Sequence, residues 1–367
     1  MTPRLARVRA VLAANARLAD PRDPLGAEAR ARLPAATGLS PEGVALALEA
    51  HLERSATEDE LTALVDSVGE AARVHVVLSA NVFVAASRAV ALALAASARV
   101  VVRPSRREPV FPELLVRALD DGGLDAEVVL ARGVTPLAGE AIHAYGRDAT
   151  LRAIATSLPP GVALWGHGSG LGVVAIDEGA DAAALARDVI AFDQRGCLSP
   201  RVVLVRASED DVVRFAASLS AELVRLAERV PIGVVDHADR ASRRVYLDTV
   251  AMIGRVFGGE GAHVGVDLSP RALIVPEAPR VVHVVRVVDA GAAWSLALPV
   301  AGKIAALGGE GPLAEALASR LSHARRSALG AMQRPPFDGP VDRRRGSSLP
   351  ARAVLRARVL VPRRPLS

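Results

Sequence analysis

The residue with the most distinctive chemistry is Cys197, the single cysteine among 367 residues. A thiolate attacks acyl carbons, becomes oxidised or binds metal, and its surroundings decide which. Taken alone, one cysteine is more often a small buried hydrophobe than a nucleophile. Its setting is Phe192-Asp193-Gln194-Arg195-Gly196-Cys197-Leu198-Ser199-Pro200-Arg201, past a helical stretch and before the aliphatic run Val202 to Val205. Gly196 permits a sharp turn and removes bulk beside the sulfur, so the thiol is expected to face a cleft. One cysteine makes no internal disulfide and no multi-thiolate zinc cage, so a reducing cytoplasm suits it and no metal site is expected.

The stretch Gly166-His167-Gly168-Ser169-Gly170-Leu171-Gly172 invites a phosphate-loop reading, but it has neither the Gly-x-Gly-x-x-Gly spacing nor a Lys-Ser/Thr pair. His167 reads as a general base or, more commonly, as a satisfied structural histidine.

The elements that must position these residues fall into three runs. Residues 1–70 read as helices, with Ser40-Pro41 as one helix start and Thr57 with Glu60 at capping-box spacing as another. Short aliphatic runs then alternate with helical stretches: Val74 to Leu78, Arg99 to Val102, Ala126 to Leu130, Ala141 to Tyr145 and Val162 to Trp165, with a crossover helix at Ala85 to Ala96. A second series places strands near Leu171 to Ile176, Arg201 to Val205, Ala272 to Val275 and Val281 to Val288, and helices at Ala180 to Phe192, Glu209 to Arg229 and Pro312 to Arg326. Buried aliphatic strands alternating with helices imply mainly parallel α/β sheets. The expected boundaries are a helical region at 1–70 packing on a cofactor domain at 71–170, a catalytic domain at 171–335, and a basic tail or oligomerisation arm at 336–367. Gln333 to Pro340 reads as the exit from the folded body.

Lys303 is the only lysine, so the basic side is nearly all arginine and the pI of 10.4 overstates the charge. From Val341 onward eight arginines face one acid, which leaves residues 1–340 at −2 of the chain's +5. No aromatics interleave with those arginines, so nucleic acid is not the expected partner. No continuous apolar run suits a signal peptide or a membrane span.

The segment Asp193 to Pro200 resembles the nucleophile segment of the LuxC-type acyl-CoA and fatty acid reductases of the aldehyde dehydrogenase superfamily. Further segments resemble that group in the same order. Leu78-Ser79-Ala80-Asn81-Val82-Phe83 is similar to the segment whose asparagine amide helps form an oxyanion hole. Arg99-Val100-Val101-Val102-Arg103-Pro104-Ser105 is similar to the strand and turn that hold the cofactor ribose, where most relatives have lysine at the place of Arg103. Arg103 follows Asn81 by 22 positions, which suits one strand-helix-strand crossover. Tyr145-Gly146-Arg147-Asp148 resembles the turn facing the cofactor phosphates, and Ala331-Met332-Gln333-Arg334-Pro335-Pro336 the C-terminal signature of the LuxC branch. The resemblance spans roughly residues 75–340.

The resemblance implies an aldehyde dehydrogenase-like α/β fold: a Rossmann-like cofactor domain, an α/β catalytic domain, and an active site in the cleft between them. It implies reduction of an acyl thioester to an aldehyde through a thioester on Cys197, with the Asn81 amide and the Cys197 N–H holding the oxyanion. Arg103, Pro104, Ser105, Arg106 and Gly146 are the implied cofactor contacts, with Glu277 on the nicotinamide ribose. Arginine at position 106, where NAD-preferring relatives often carry glutamate, favours the 2′-phosphate of NADPH over NAD. Hydrolytic relatives carry a water-activating glutamate near Trp165, whereas no glutamate lies between Glu140 and Glu178 here. Acyl transfer and reduction are then expected rather than release of acid. The implied partners are acyl-CoA or an acyl carrier, an acyl-transfer or acyl-activating enzyme, and further copies of the chain in a dimer or tetramer. Two other readings stand beside this one: an acyl phosphate reductase, and a catalytically silent relative serving in binding or assembly, which the arginine at position 103 favours.

Overall fold

The computed structural model describes residues 2–344, and most of the basic tail or oligomerisation arm expected at 336–367 lies outside them. The chain forms two compact units. The first comprises residues 2–18, 53–169 and 336–344; the second comprises 19–52 and 170–335. The helical opening is therefore shared. Helix α1 (Pro3–Ala19) falls almost wholly in the first unit, while α2 (Pro24–Thr37) and α3 (Pro41–Leu46) belong to the second. Ser40 caps α3 through the Gly43 N–H, and α3 runs on into a π-helical turn, Ala47–His51.

The first unit is built on five parallel strands. After α4 (Glu58–Asp66), which the Thr57/Glu60 capping box opens, come β1 (Val74–Val77), α5 (Ala85–Ala96), β2 (Arg99–Arg103), α6 (Val110–Asp121), β3 (Glu127–Leu130), β4 (Ala141–Tyr145), α7 (Asp148–Ser157) and β5 (Ala163–His167). Their spatial order is β3-β2-β1-β4-β5. The order reverses between β1 and β4, and such a switch point opens a crevice at the carboxyl ends of the strands. Small aliphatic residues let α5 pack tightly, with Ala86 through Ala96 all buried.

The second unit carries β6 (Leu171–Asp177), α8 (Ala182–Ile190), β7 (Pro200–Arg206), α9 (Glu209–Arg229), α10 (His237–Ile253), β8 (Arg255–Gly259), β9 (Ala262–Asp267), β10 (Val281–Arg286), α11 (Ala290–Ala297), β11 (Ile304–Gly308), α12 (Pro312–Ala318) and β12 (Arg325–Ser327). The seven-stranded sheet runs β12-β11-β6-β7-β10-β9-β8 and is parallel except for the β8–β9 hairpin. Val173, Val202, Leu204, Val285, Ile304, Leu307, Leu313 and Leu317 fill one face of its core.

Three expectations are corrected. Ala272 to Val275 forms no strand; Pro270, Pro276 and Pro279 bracket it, and the place beside β10 is taken by β9, whose Val264 and Val266 are buried. The helix from Pro312 stops at Ala318, and Arg325–Ser327 instead extends the sheet against β11. Gln333 to Pro340 is no exit from the folded body. Arg88 donates to the Pro336 and Gly339 carbonyls and lies 5.1 Å from the buried Phe337 ring, and Arg344 donates to the Ser169 carbonyl at 2.6 Å.

Candidate active site

The nucleophile candidate follows a backbone that few sequences tolerate. After α8 the chain makes a short 3₁₀ turn, Ala191–Gln194, in which Phe192, Asp193 and Gln194 have φ of +54°, +51° and +61°. Three consecutive non-glycine residues in the left-handed region persist only when their surroundings over-determine them. Here the determinants are explicit. Asp193, 2 % exposed, accepts from Arg280 Nε at 2.9 Å and from the Gly233 N–H at 3.1 Å. Arg280 is fully buried, itself has φ +53°, and spends its other donors on the Val230 and Pro231 carbonyls. The Gln194 amide, also fully buried, donates to the Pro200 and Val281 carbonyls at 2.6 and 2.9 Å and accepts from the Val281 N–H at 2.9 Å.

A turn then closes from Gly196 to Ser199. The Ser199 N–H donates to the Gly196 carbonyl and the Gly196 N–H to Ser199 Oγ, both at 3.2 Å, and half-buried Cys197 sits within it. Gly172, the last glycine of the Gly166–Gly172 stretch, lies directly beneath. Its N–H donates to the Ser199 carbonyl at 3.0 Å, and a Cβ there would stand 2.5 Å from the Leu198 carbonyl oxygen. The glycine run thus serves close packing at this turn. Gly168 lies against the Asp148 carboxylate, which accepts from the Ser169 N–H at 2.9 Å.

Two further groups brace the segment. The Phe192 ring lies 5.2 Å from His51, whose pKa burial lowers to about 4 and which hydrogen-bonds the Gln333 backbone. Asp188 on α8 accepts from the Gly330 and Met332 N–H groups at 2.6 and 3.0 Å; burial pushes its pKa up to about 6 despite those bonds. Both tie the Ala331 to Pro336 segment to the approach to Cys197. Sequence reasoning missed Asp188, His51, Arg280 and Gly172, and only the glycine run carried any signal.

Glu277 is exposed in the loop before β10, and β10 is the parallel neighbour of β7, so Cys197 and Glu277 precede adjacent strands. Arg201, the second residue of β7, donates to the carbonyls on both sides of Glu277.

In the first unit, the candidate residues all follow the carboxyl ends of strands, where a crevice of this topology binds ligands. Asn81 is exposed in the turn between β1 and α5. Arg103 ends β2 and donates to the Arg132 carbonyl at 3.3 Å; Pro104 and Ser105 are half-buried, and Ser105 Oγ accepts from the Arg107 N–H. Arg106 is exposed and pairs with no carboxylate among the described residues. Gly146 joins β4 to α7, and a Cβ on it would make ordinary contact with the Thr150 side chain at 3.7 Å. A glycine turn at Gly146 and the exposed Arg106 guanidinium, without a carboxylate partner among the described residues, fit a phosphorylated dinucleotide. His167 is different. It is 7 % exposed, stacked on Tyr145 at 4.4 Å, and held by burial at a pKa of about 4.

Residues 50–292 match the family described as acyl-CoA reductase (LuxC). No sequence among curated proteins matches the chain. Solved structures share its fold at low identity. An oxidoreductase from Marinobacter aquaeolei is 12 % identical over 95 % of this chain and 82 % of its own, with a TM-score of 0.70. An NAD-dependent benzaldehyde dehydrogenase from Corynebacterium glutamicum is 19 % identical over 89 % and 81 %, with a TM-score of 0.63. An NADP-dependent glyceraldehyde-3-phosphate dehydrogenase from Bacillus halodurans, complexed with NADP, is 18 % identical over 84 % and 74 %, with a TM-score of 0.58. No described helix is long and apolar enough to cross a membrane. The chain belongs to the LuxC acyl-CoA reductase family and has the aldehyde dehydrogenase fold, which makes it an oxidoreductase.

Proposed function

We propose that the chain reduces an acyl thioester, carried on coenzyme A or a carrier protein, to an aldehyde with NADPH, through an acyl group held on Cys197. The observation that carries the reading is the half-exposed Cys197 just past a left-handed segment, Phe192 to Gln194, that a buried ion pair and a buried amide hold in place. Strain of this kind persists where a reacting group must be presented in one geometry.

In the proposed reaction the Cys197 thiolate attacks the acyl carbon and forms a carbon–sulfur bond, pushing one electron pair onto the carbonyl oxygen. The Asn81 amide and the Cys197 backbone N–H are the proposed donors to that oxyanion, each worth about 3 kcal/mol by analogy with measured oxyanion holes. Collapse breaks the bond to the departing thiol and leaves a thioester on Cys197. A bound nicotinamide supplies hydride to such an acyl carbon. Departure of the aldehyde returns the thiolate. Hydrolysis is disfavoured because no glutamate lies between Glu140 and Glu178 and His167 is stacked and buried.

Arg103, Pro104, Ser105, Arg106 and Gly146 are the proposed cofactor contacts, with Glu277 on the ribose. NADPH is preferred over NADH because Arg106 is unpaired and cationic, and a fold neighbour was solved with NADP. The reading extends to a reducing cytoplasm, to a dimer or tetramer, and to an acyl-transfer or acyl-activating enzyme as supplier. The test is NADPH oxidation with acyl-CoA donors of increasing chain length, wild type against Cys197→Ala. Oxidation that depends on acyl-CoA and vanishes in Cys197→Ala is expected. A folded wild-type chain that turns over no donor would overturn the reading.

A further inference from the structure

Three stitches join the nucleophile segment to the loop that enters β10. Two of them, Asp193 with Arg280 and the Gln194 amide with Val281, hold the Cys197 approach but act past the carboxyl side of Glu277. The third is Arg201. Its Nη2 donates to the Gln194 carbonyl at 3.0 Å, while Nη1 donates to the Pro276 carbonyl at 2.8 Å and reaches the Ala278 carbonyl at 3.4 Å. One planar fork therefore grips the backbone before Cys197 with one nitrogen and both flanks of Glu277 with the other. The guanidinium makes no contact with a carboxylate within bonding distance among the described residues, yet it feels the charges of Glu277 and Asp239, which oppose the lowering of its pKa by burial. A cation desolvated onto neutral carbonyls is an expensive way to close a turn, since apolar side chains fill such space at lower cost.

We propose that Arg201 is a positioning residue that fixes the Glu277 loop and the Cys197 turn in a single geometry, so that cofactor binding and acyl capture share one guanidinium. The inference rests on the reading of Cys197 and Glu277 given above. Lysine keeps the charge but cannot reach carbonyls in two directions with a planar fork.

The experiment is a double-mutant cycle on the full chain with Arg201→Lys, Glu277→Gln and the pair. It reads the NADPH dissociation constant by fluorescence, acyl capture on Cys197 from acyl-CoA without cofactor by intact mass, and the melting temperature. Arg201→Lys is expected to weaken NADPH binding about tenfold, the scale of one charge-assisted hydrogen bond. In the Glu277→Gln background the same change should add less than twofold, because the carboxylate it positions is gone. Acyl capture should slow at least threefold in both backgrounds, through the Gln194 tether. A merely structural role would lower melting and carry its full effect on NADPH into both backgrounds, and that result overturns the proposal, as does NADPH binding within twofold of wild type. If Arg201→Lys melts below the assay temperature, Arg201→Gln, which keeps one donor for the Pro276 carbonyl, replaces it in the same cycle. A wild-type chain that neither binds NADPH nor captures an acyl group refutes the functional reading and the inference with it. Loss of the coupling alone, with wild-type binding and capture intact, refutes only the inference.

Discussion

Gly172→Ala tests how the nucleophile turn is held. A Cβ at this position would lie 2.5 Å from the Leu198 carbonyl oxygen and 2.7 Å from that of Ser199, whereas ordinary contact begins near 3.4 Å. Relief requires the turn to retreat by about 0.7–0.9 Å, and the obstacle is backbone, which cannot swing aside as a flexible side chain would. The same retreat lengthens the Gly172 N–H to Ser199 carbonyl bond from 3.0 Å. Overpacking of this kind destabilises by about 1–3 kcal/mol, which lowers melting by roughly 2–4 °C per kcal/mol for a cooperative unit of about 150–250 residues, the size class of the second unit. The effect on chemistry is larger, because a displacement near 1 Å at a reacting group slows reaction about 100-fold. Acyl capture on Cys197, followed as a single turnover by intact mass, should slow between about tenfold and 100-fold while the protein stays folded. Capture within threefold of wild type, alongside a measurable drop in melting, would refute the claim that Gly172 sets the position of the thiol.

Other perturbations have equally definite outcomes. Asp193→Ala strands the fully buried Arg280 and should lower unfolding free energy by about 3–5 kcal/mol in urea titration; a loss under about 1 kcal/mol would contradict the role given to the pair. Arg106→Ala should weaken NADPH binding by about tenfold or more and leave NADH binding unchanged, measured by fluorescence titration; equal losses for both cofactors would remove Arg106 from the 2′-phosphate. Acid should unfold the protein early. Burial lowers His51, His167 and His283 to about 4 and His143 to about 3, from an ordinary 6.5. Each folded ring binds its proton less readily than the unfolded one, so this stabilisation is whole above pH 6.5 and drains as pH falls toward the folded values, by about 1.4 kcal/mol per unit per group. Asp188, raised to about 6, has the opposite sign and offsets one of the four. The midpoint by circular dichroism should fall between about pH 6 and 4, and undiminished cooperative melting at pH 3.5 would contradict it.

The two sheets were legible because central parallel strands bury both faces and read as nearly continuous aliphatic runs, interrupted only by His75 in Val74–Val77 and unbroken at Val202 to Val205 within Pro200–Arg206. Helices with strong periodicity, α5 and α9, form over the spans their sequences predict. The hairpin β8–β9 was hidden by Gly258, Gly259, Gly261 and Gly265, which dilute strand propensity. The run Ala272 to Val275 looked like a strand because composition does not say which segment wins the place beside β10. The LuxC resemblance and the aldehyde dehydrogenase fold were carried by short ordered motifs and are borne out. The support around Cys197 was not legible. Asp193 and Arg280 lie 87 positions apart, and Gly172 and Ser199 meet only through strand pairing, so no local pattern announces either contact.

Capture of the acyl group on Cys197 is the step on which the proposed function turns. The most direct measurement is intact mass of the wild-type protein and of Cys197→Ala after exposure to an acyl-CoA without cofactor. One acyl adduct on the wild-type chain, removed by hydroxylamine as a thioester is, and none on Cys197→Ala at equal folding, is the expected result. An adduct of the same mass and rate on Cys197→Ala would contradict it.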